Sequence, residues 1–194
     1  MPDPVPVSRS LTYAVLSVAL FGAGALAGCD RQGSAPAQQE ASTPAKPQAG
    51  LVDRSQRGMP LPAFTLSDPA GKTLALARQT GKPLLINLWA TWCAPCVAEL
   101  PTLEKLAQAG KVRVLTVSQD MNDPAKVTQF LAERGGPSLE PWLDPANDLS
   151  FHYGTGTLPT TIYYDAQGRE VWRFVGEQDW SGEEAAKLLA EAGG

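Results

Sequence analysis

The stretch Trp89-Ala90-Thr91-Trp92-Cys93-Ala94-Pro95-Cys96 constrains this chain more than any other. The run leading into it, Pro83-Leu84-Leu85-Ile86-Asn87-Leu88-Trp89, is short and mostly apolar, the pattern of a strand buried on both faces. Beyond it, Val97, Leu100, Leu103 and Leu106 recur at helical spacing. Cys93 therefore falls where a buried strand hands over to a helix N-terminus. Unpaired N–H groups and the positive end of the helix dipole favour an anion there, and so a thiolate. Such settings lower a cysteine pKa from about 8.5 into roughly the 3.5–7.5 range. Cys96 stands one turn further on, close enough to attack a mixed disulfide formed on Cys93. The pair reads as a dithiol/disulfide switch.

Two other readings of the pair stand beside this one. Half of a zinc site would need two further soft or imidazole ligands, and the chain offers only Cys29 and His152. A purely structural disulfide closing so small a loop would remove little entropy from the unfolded chain. Cysteine arithmetic favours redox use. His152 reads as a capping or solvent-facing residue rather than a ligand or base.

The N-terminal 28 residues read as a leader. Leu11 to Ala27 is almost wholly apolar or small, too short for a spanning helix of about 20 residues but suited to a signal-peptide core. Leu26-Ala27-Gly28-Cys29 resembles the lipobox of bacterial lipoprotein precursors, which implies cleavage before Cys29 and acylation of it. Two or three acyl chains anchor stably where one does not. The basic n-region is weak, since Asp3 offsets Arg9, so an uncleaved signal anchor is the alternative. Asp30 resembles the signal that retains enteric lipoproteins in the inner membrane. Residues 29–56 then form the lipidated cysteine and a Pro/Ala/Gln-rich tether without hydrophobic period, expected to be disordered. Such a coil reaches roughly 25–30 Å.

Residues 57–194 are expected to form one domain. A net charge of −4 without a basic cluster gives no support for nucleic-acid binding. Pro62 to Leu66 and Thr73 to Leu76 suggest two strands around the Asp68–Gly71 turn, followed by the buried strand and a helix that Pro101 should kink. Val112 to Val117 reads as a central strand. Asp123-Pro124 is an N-cap with proline at the first helical position, opening a helix through Arg134. A short strand at Glu140–Leu143 and a short helix within Pro145–Tyr153 follow. Thr160–Tyr164 and Glu170–Phe174 form a hairpin. Ser181-Gly182-Glu183-Glu184 has the capping-box pattern and opens the last helix, with Leu188 and Leu189 inward. This order of strands and helices predicts a mixed α/β sandwich.

Gly156-Thr157-Leu158-Pro159-Thr160-Thr161 places a proline directly before a strand, a position tolerated at a sheet edge. Together with Asn87 to Cys96 and Glu99-Leu100-Pro101, this segment makes the chain resemble the thioredoxin superfamily. The resemblance is to TlpA/ResA-like membrane-tethered thiol–disulfide oxidoreductases, close also to the CcmG/DsbE type. It implies a thioredoxin fold, a central mixed β-sheet flanked by helices, with a TlpA-like insertion between the active-site helix and a cis-Pro loop at Pro159. A cis Leu158–Pro159 bond would leave the Leu158 backbone free to pair with an extended substrate.

The same resemblance assigns roles. Thioredoxins of the cytoplasm carry a buried aspartate where this chain has Asn87, and TlpA/ResA-like proteins instead place a glutamate at the position of Glu99. A partly buried Glu99 would exchange a proton with Cys96, while the alternative is a solvated glutamate on the helix surface. Trp89 is expected in the core and Trp92 over Cys93, meeting substrate. No cofactor and no metal are implied. The implied activity is reduction of client disulfides in the periplasm, with apocytochrome c or a metal-site assembly protein as client. Electrons would come from a membrane thiol transporter of the CcdA/DsbD kind. The competing functions are a disulfide-donating oxidase of the DsbA type and a copper-binding lipoprotein using the pair as a soft Cu(I) site.

Overall fold

Residues 50–121 and 123–193 are described by a computed structural model; the leader, Cys29 and Asp30 lie outside them. Eight strands run in chain order: β1 (Val52–Asp53), β2 (Thr65–Ser67), β3 (Thr73–Ala75), β4 (Leu84–Trp89), β5 (Arg113–Ser118), β6 (Pro141–Leu143), β7 (Thr160–Tyr164) and β8 (Glu170–Val175). Four α-helices accompany them: α1 (Ala94–Ala109), α2 (Pro124–Arg134), α3 (Asp148–Tyr153) and α4 (Glu183–Ala190). The strands join one sheet in the order β1-β8-β7-β4-β5-β6-β2-β3. β4–β5 and β5–β6 pair in parallel and the rest antiparallel, so the sheet is mixed. The expected thioredoxin arrangement is present, with β6 and α3 filling the space between the active-site helix and Pro159.

β4 is central, and all six of its residues are buried. The two-residue period of a strand sends alternate side chains to opposite faces. Leu85 and Trp89 enter one apolar cluster with Leu100 and Leu103 of α1, Val127 and Leu131 of α2, and Trp172 and Phe174 of β8. Leu84, Ile86 and Leu88 enter a second cluster with Leu66, Leu74, Trp142, Leu149 and Tyr153. Burying a single leucine contributes roughly 1.5–3 kcal/mol, so this strand is the thermodynamic centre of the sheet. Asn87, placed between Leu85 and Trp89 in the alternation, is thereby directed at α1.

α1 has Pro95 in its first turn and ends at Gly110, whose φ of 70° is the left-handed conformation that glycine adopts without a Cβ clash. Pro101 sits inside this helix without ending it. α2 begins as expected: the Asp123 side chain accepts from the Lys126 N–H.

Three features differ from expectation. The capping box before α4 does not form. Gly182 is the N-cap with no side-chain cap; the Ser181 backbone N–H, which the box would pair with the Glu184 carboxylate, donates to Asp179 Oδ1 at 2.9 Å instead. The strand expected from Pro62 starts only at Thr65, and Pro60 bridges Arg169 instead. The end of the stretch read as tether is also part of the fold. The Gly50 N–H donates to Val175 O, Val52 pairs with Phe174 and Asp53 with Arg173, and Arg54 and Arg57 both bind Glu191. These exposed ion pairs contribute little by themselves. The ladder they flank brings Val52 and Asp53 into the sheet, ahead of residue 57.

Candidate active site

Cys93 is the N-cap of α1, with extended backbone (φ −91°, ψ 98°), and its sulfur accepts from the Cys96 N–H at 3.3 Å. The strand-to-helix handover read from the sequence is therefore present. The two sulfurs are joined at 2.05 Å, with Cα atoms 5.3 Å apart. Cys96 is fully buried and Cys93 is 6 % exposed. The first turn of α1 holds no acidic side chain, so nothing there offsets the helix dipole that favours a thiolate at Cys93. Among the described residues no group of three or more His, Cys, Asp or Glu side chains is placed to hold a metal ion.

The Leu158–Pro159 peptide is cis. The Pro159 carbonyl accepts from the Gly176 N–H at 2.9 Å, and Leu158 packs against both apolar clusters. The Leu158 N–H and C=O have no hydrogen-bond partner among the described residues. Beside this segment opens a groove of ≈ 630 Å³ lined by Trp92, Gln119, Met121, Phe151, Thr155 and Leu158, among others, none of them charged. Trp92, Met121 and Phe151 are all largely exposed. Two of its polar lining residues are tied down: Ser150 Oγ donates to Gln119 Oε1, and Gln119 Nε2 donates to Asp144 Oδ2 at 2.9 Å. Asp144 also accepts the Asp148 and Leu149 N–H groups, which caps α3. Trp89 is fully buried against Phe130. His152 stands exposed at the end of α3, edge-on to Phe64 and Tyr153.

Glu99 lies on the same face of α1 as Cys96, one turn on, and is 1 % exposed. Three donors hold its carboxylate. Asn87 Nδ2 donates to Oε1 at 2.7 Å, the Gln178 backbone N–H to Oε2 at 3.1 Å, and the Trp180 indole N–H to Oε2 at 3.2 Å. Asn87 Nδ2 also donates to Thr161 Oγ1 at 3.0 Å, while its Oδ1 is buried without a partner among the described residues. Desolvation outweighs the three hydrogen bonds and pushes the Glu99 pKa up from 4.5 to about 7. The solvated-glutamate alternative does not hold.

That elevation makes stability depend on pH in a definite direction. Glu99 binds its proton more tightly in the folded than in the unfolded chain, so its contribution is full below about pH 4.5. It is lost as pH rises through about 7. Glu99→Gln removes this dependence and adds only a pH-independent offset. The stability of the variant relative to the parent is expected to rise by on the order of 3 kcal/mol between about pH 4 and pH 8. Urea unfolding of both oxidised proteins across this range checks it, and a constant difference would contradict it.

Sequence reasoning named Cys93, Cys96, Trp92, Glu99, Leu158 and Pro159 as candidates, and the structure brings them to one end of the sheet. It missed Trp180, the Gln178 N–H and the groove residues Met121 and Phe151. A tryptophan directly after the acidic segment Glu177–Asp179 was the available signal.

The site has counterparts in known proteins. A Redoxin family model matches residues 56–189. The thiol:disulfide interchange protein DsbE of Pseudomonas fluorescens biotype C is 39% identical over 137 residues, covering 69% of this chain and 76% of that protein. The thiol-disulfide oxidoreductase ResA of Bacillus thuringiensis (strain Al Hakam) is 32% identical over 129 residues, covering 65% and 73%. Among solved structures, the exposed lipoprotein thioredoxin Etrx1 of Streptococcus pneumoniae strain TIGR4 superposes with a TM-score of 0.55 at 29% identity, covering 66% of this chain and 96% of that one. A thio-disulfide isomerase of Thermus thermophilus gives 0.57 at 29%, covering 71% and 96%. With a dithiol at a helix N-terminus, a cis-proline beside it and relatives of this kind, the chain belongs to the Redoxin family and is a thiol–disulfide oxidoreductase of the DsbE and ResA type.

Proposed function

We propose that this protein is a lipid-anchored reductase of client-protein disulfides on the periplasmic face of the bacterial inner membrane. The observation that carries the reading is the asymmetry of the pair. Cys93 caps the helix, keeps some exposed surface and directly follows Trp92, which lines an uncharged groove, whereas Cys96 lies fully buried on the face that holds Glu99.

In the reaction, the Cys93 thiolate attacks one sulfur of a client disulfide, forming a Cys93–client bond and expelling the other client sulfur as a thiolate. Glu99 then takes the Cys96 proton. The Cys96 thiolate attacks Cys93 Sγ, closing the Cys93–Cys96 bond and releasing the second client sulfur. Two electrons pass to the client, and the protein ends oxidised. The Leu158 backbone and Pro159 orient an extended client segment, and Trp92 covers the exchanging sulfurs. The clients are oxidised cysteine proteins such as apocytochrome c or metal-site assembly factors. A membrane thiol transporter of the CcdA/DsbD kind returns the electrons. Anchoring through Cys29 is supported by the Leu-Ala-Gly-Cys sequence and by the likeness to Etrx1, itself an exposed lipoprotein. No helix among the described residues is long and apolar enough to cross a membrane.

Direction of electron flow is tested by equilibrating the protein with graded dithiothreitol buffers and trapping free thiols. A reduction potential well below the about −120 mV of a strong disulfide donor is expected. A value near that figure, together with oxidation of a reduced client, would reverse the assignment.

A further inference from the structure

The loop between β8 and α4 is fastened to the active-site helix at two neighbouring points. Trp180 is the residue that makes both contacts. Its backbone N–H donates to Thr102 Oγ1 at 3.1 Å, and that hydroxyl donates to the Glu99 carbonyl at 2.8 Å. Its indole N–H reaches Glu99 Oε2, where the Gln178 N–H also arrives. The ring itself is 2 % exposed, stacked on Trp172 with a 6° interplanar angle and edge-on to Phe174. An indole so packed has little freedom to follow the carboxylate elsewhere.

We propose that Trp180 is a positioning residue for the exchange reaction, its indole N–H holding Glu99 as the carboxylate that receives the Cys96 proton. This rests on the reading of Glu99 as that proton acceptor. The indole is a donor only, so it favours the ionised carboxylate and has nothing to offer the carboxylic acid. The other groups facing Glu99 do not take over this part. β4 and β7 present the uncharged Asn87 and Thr161, α1 presents Cys96, and the loop's own Glu177 acts in the opposite sense, favouring the protonated form. Without the indole N–H, burial and Glu177 would act on Glu99 with two donors against them instead of three. Glu99 would then hold its proton to higher pH and accept the Cys96 proton less readily at neutrality.

The test uses the full chain in detergent, with nitrogen-15 in the indole rings. The Trp180 indole N–H resonance, assigned by its loss in Trp180→Phe, is expected to shift with a midpoint near the about 7 of Glu99. That shift should vanish in Glu99→Gln. An indole resonance that shows no such inflection overturns the proposal whatever the kinetics of the Trp180 variant. The kinetic arm reacts the reduced protein with excess dithiobis-nitrobenzoate. The first nitrothiolate released reports attack by Cys93, and the second reports closure of the Cys93–Cys96 bond by Cys96. In Trp180→Phe the ratio of second to first rate is expected to fall about fivefold at pH 7, its pH midpoint moving up by about one unit. Thr102→Val, which removes the hydroxyl's links to the Trp180 N–H and the Glu99 carbonyl but leaves the indole in place, should move it in the same direction by less. An unmoved midpoint in Trp180→Phe, or equal slowing of both releases, would overturn the proposal. Absence of any second release in the unmodified protein would instead sink the exchange mechanism and leave the indole titration standing.

Discussion

Cys96→Ser is expected to stop the reaction at its midpoint, leaving client covalently attached through Cys93, whereas Cys93→Ser should bind no client and show no turnover. The difference follows from geometry. Cys93 is the N-cap of α1, directly after the groove residue Trp92, with the helix dipole and the first-turn N–H groups stabilising its thiolate. Cys96 is inaccessible to a client disulfide and reacts only with a sulfur already bonded to Cys93. Serine at position 96 keeps the shape but cannot displace the client, so the mixed disulfide accumulates. Serine at position 93 removes the only cysteine of the pair with any exposed surface, and multiple-turnover reduction is expected to drop to the uncatalysed rate. Non-reducing electrophoresis and mass spectrometry of the captured species are the measurement. Capture through Cys96 in the Cys93→Ser protein, at a level matching the reciprocal variant, would show that the two sulfurs have been assigned the wrong order.

Arg173→Met is expected to destabilise the fold by about 3–5 kcal/mol, because it strands a buried carboxylate. Both groups lie on β8. Arg173 Nε donates to Glu170 Oε1 at 2.6 Å and Nη2 to Oε2 at 2.9 Å, a two-pronged pair in which the Glu170 side chain is only 2 % exposed. Nη1 also donates to the Tyr153 carbonyl, and the guanidinium lies 5.1 Å from the Tyr153 ring centre. The substitution therefore breaks the tie between the sheet and the end of α3, which lines the groove. It leaves the buried Glu170 carboxyl group without its partner. The double variant Glu170→Leu/Arg173→Met removes both charges and should recover most of the loss, since the desolvation of the pair offsets much of its attraction. Urea unfolding of the parent, the single and the double variant measures this. A double variant as unstable as the single one would mean that the lost packing, rather than the stranded charge, dominates.

The parts of this molecule readable in advance are those whose cause is local. Alternation and apolar run length mark β4, because six consecutive buried residues leave a signal within their own segment. Asp123-Pro124 marks the start of α2, because the cap and the helix it opens are neighbours in the chain. The capping box at Ser181 failed for the converse reason. Asp179, two positions back, competes with Glu184 for the Ser181 backbone N–H, and a local pattern does not rank two local acceptors. β1 escaped notice because two residues carry no period. They are strand only because the edge of β8 supplies the hydrogen bonds.

The active site divides along the same line. Cys93 and Cys96 are three positions apart, so once a strand is seen to end and a helix to begin, their placement at the helix N-terminus follows from chain geometry alone. Sequence by itself determined the dithiol, its helix-capping position and the family to which it belongs. Tertiary structure decided what surrounds that dithiol. Trp180 reaches Glu99 across 81 positions, and Asn87 finds Thr161 across 74. Met121 and Phe151 face one groove from two different connections of the sheet. No pattern along the chain encodes such meetings, because they arise when strands of distant segments become neighbours. The proton affinity of Glu99 is set by burial and by donors that only the closed fold assembles.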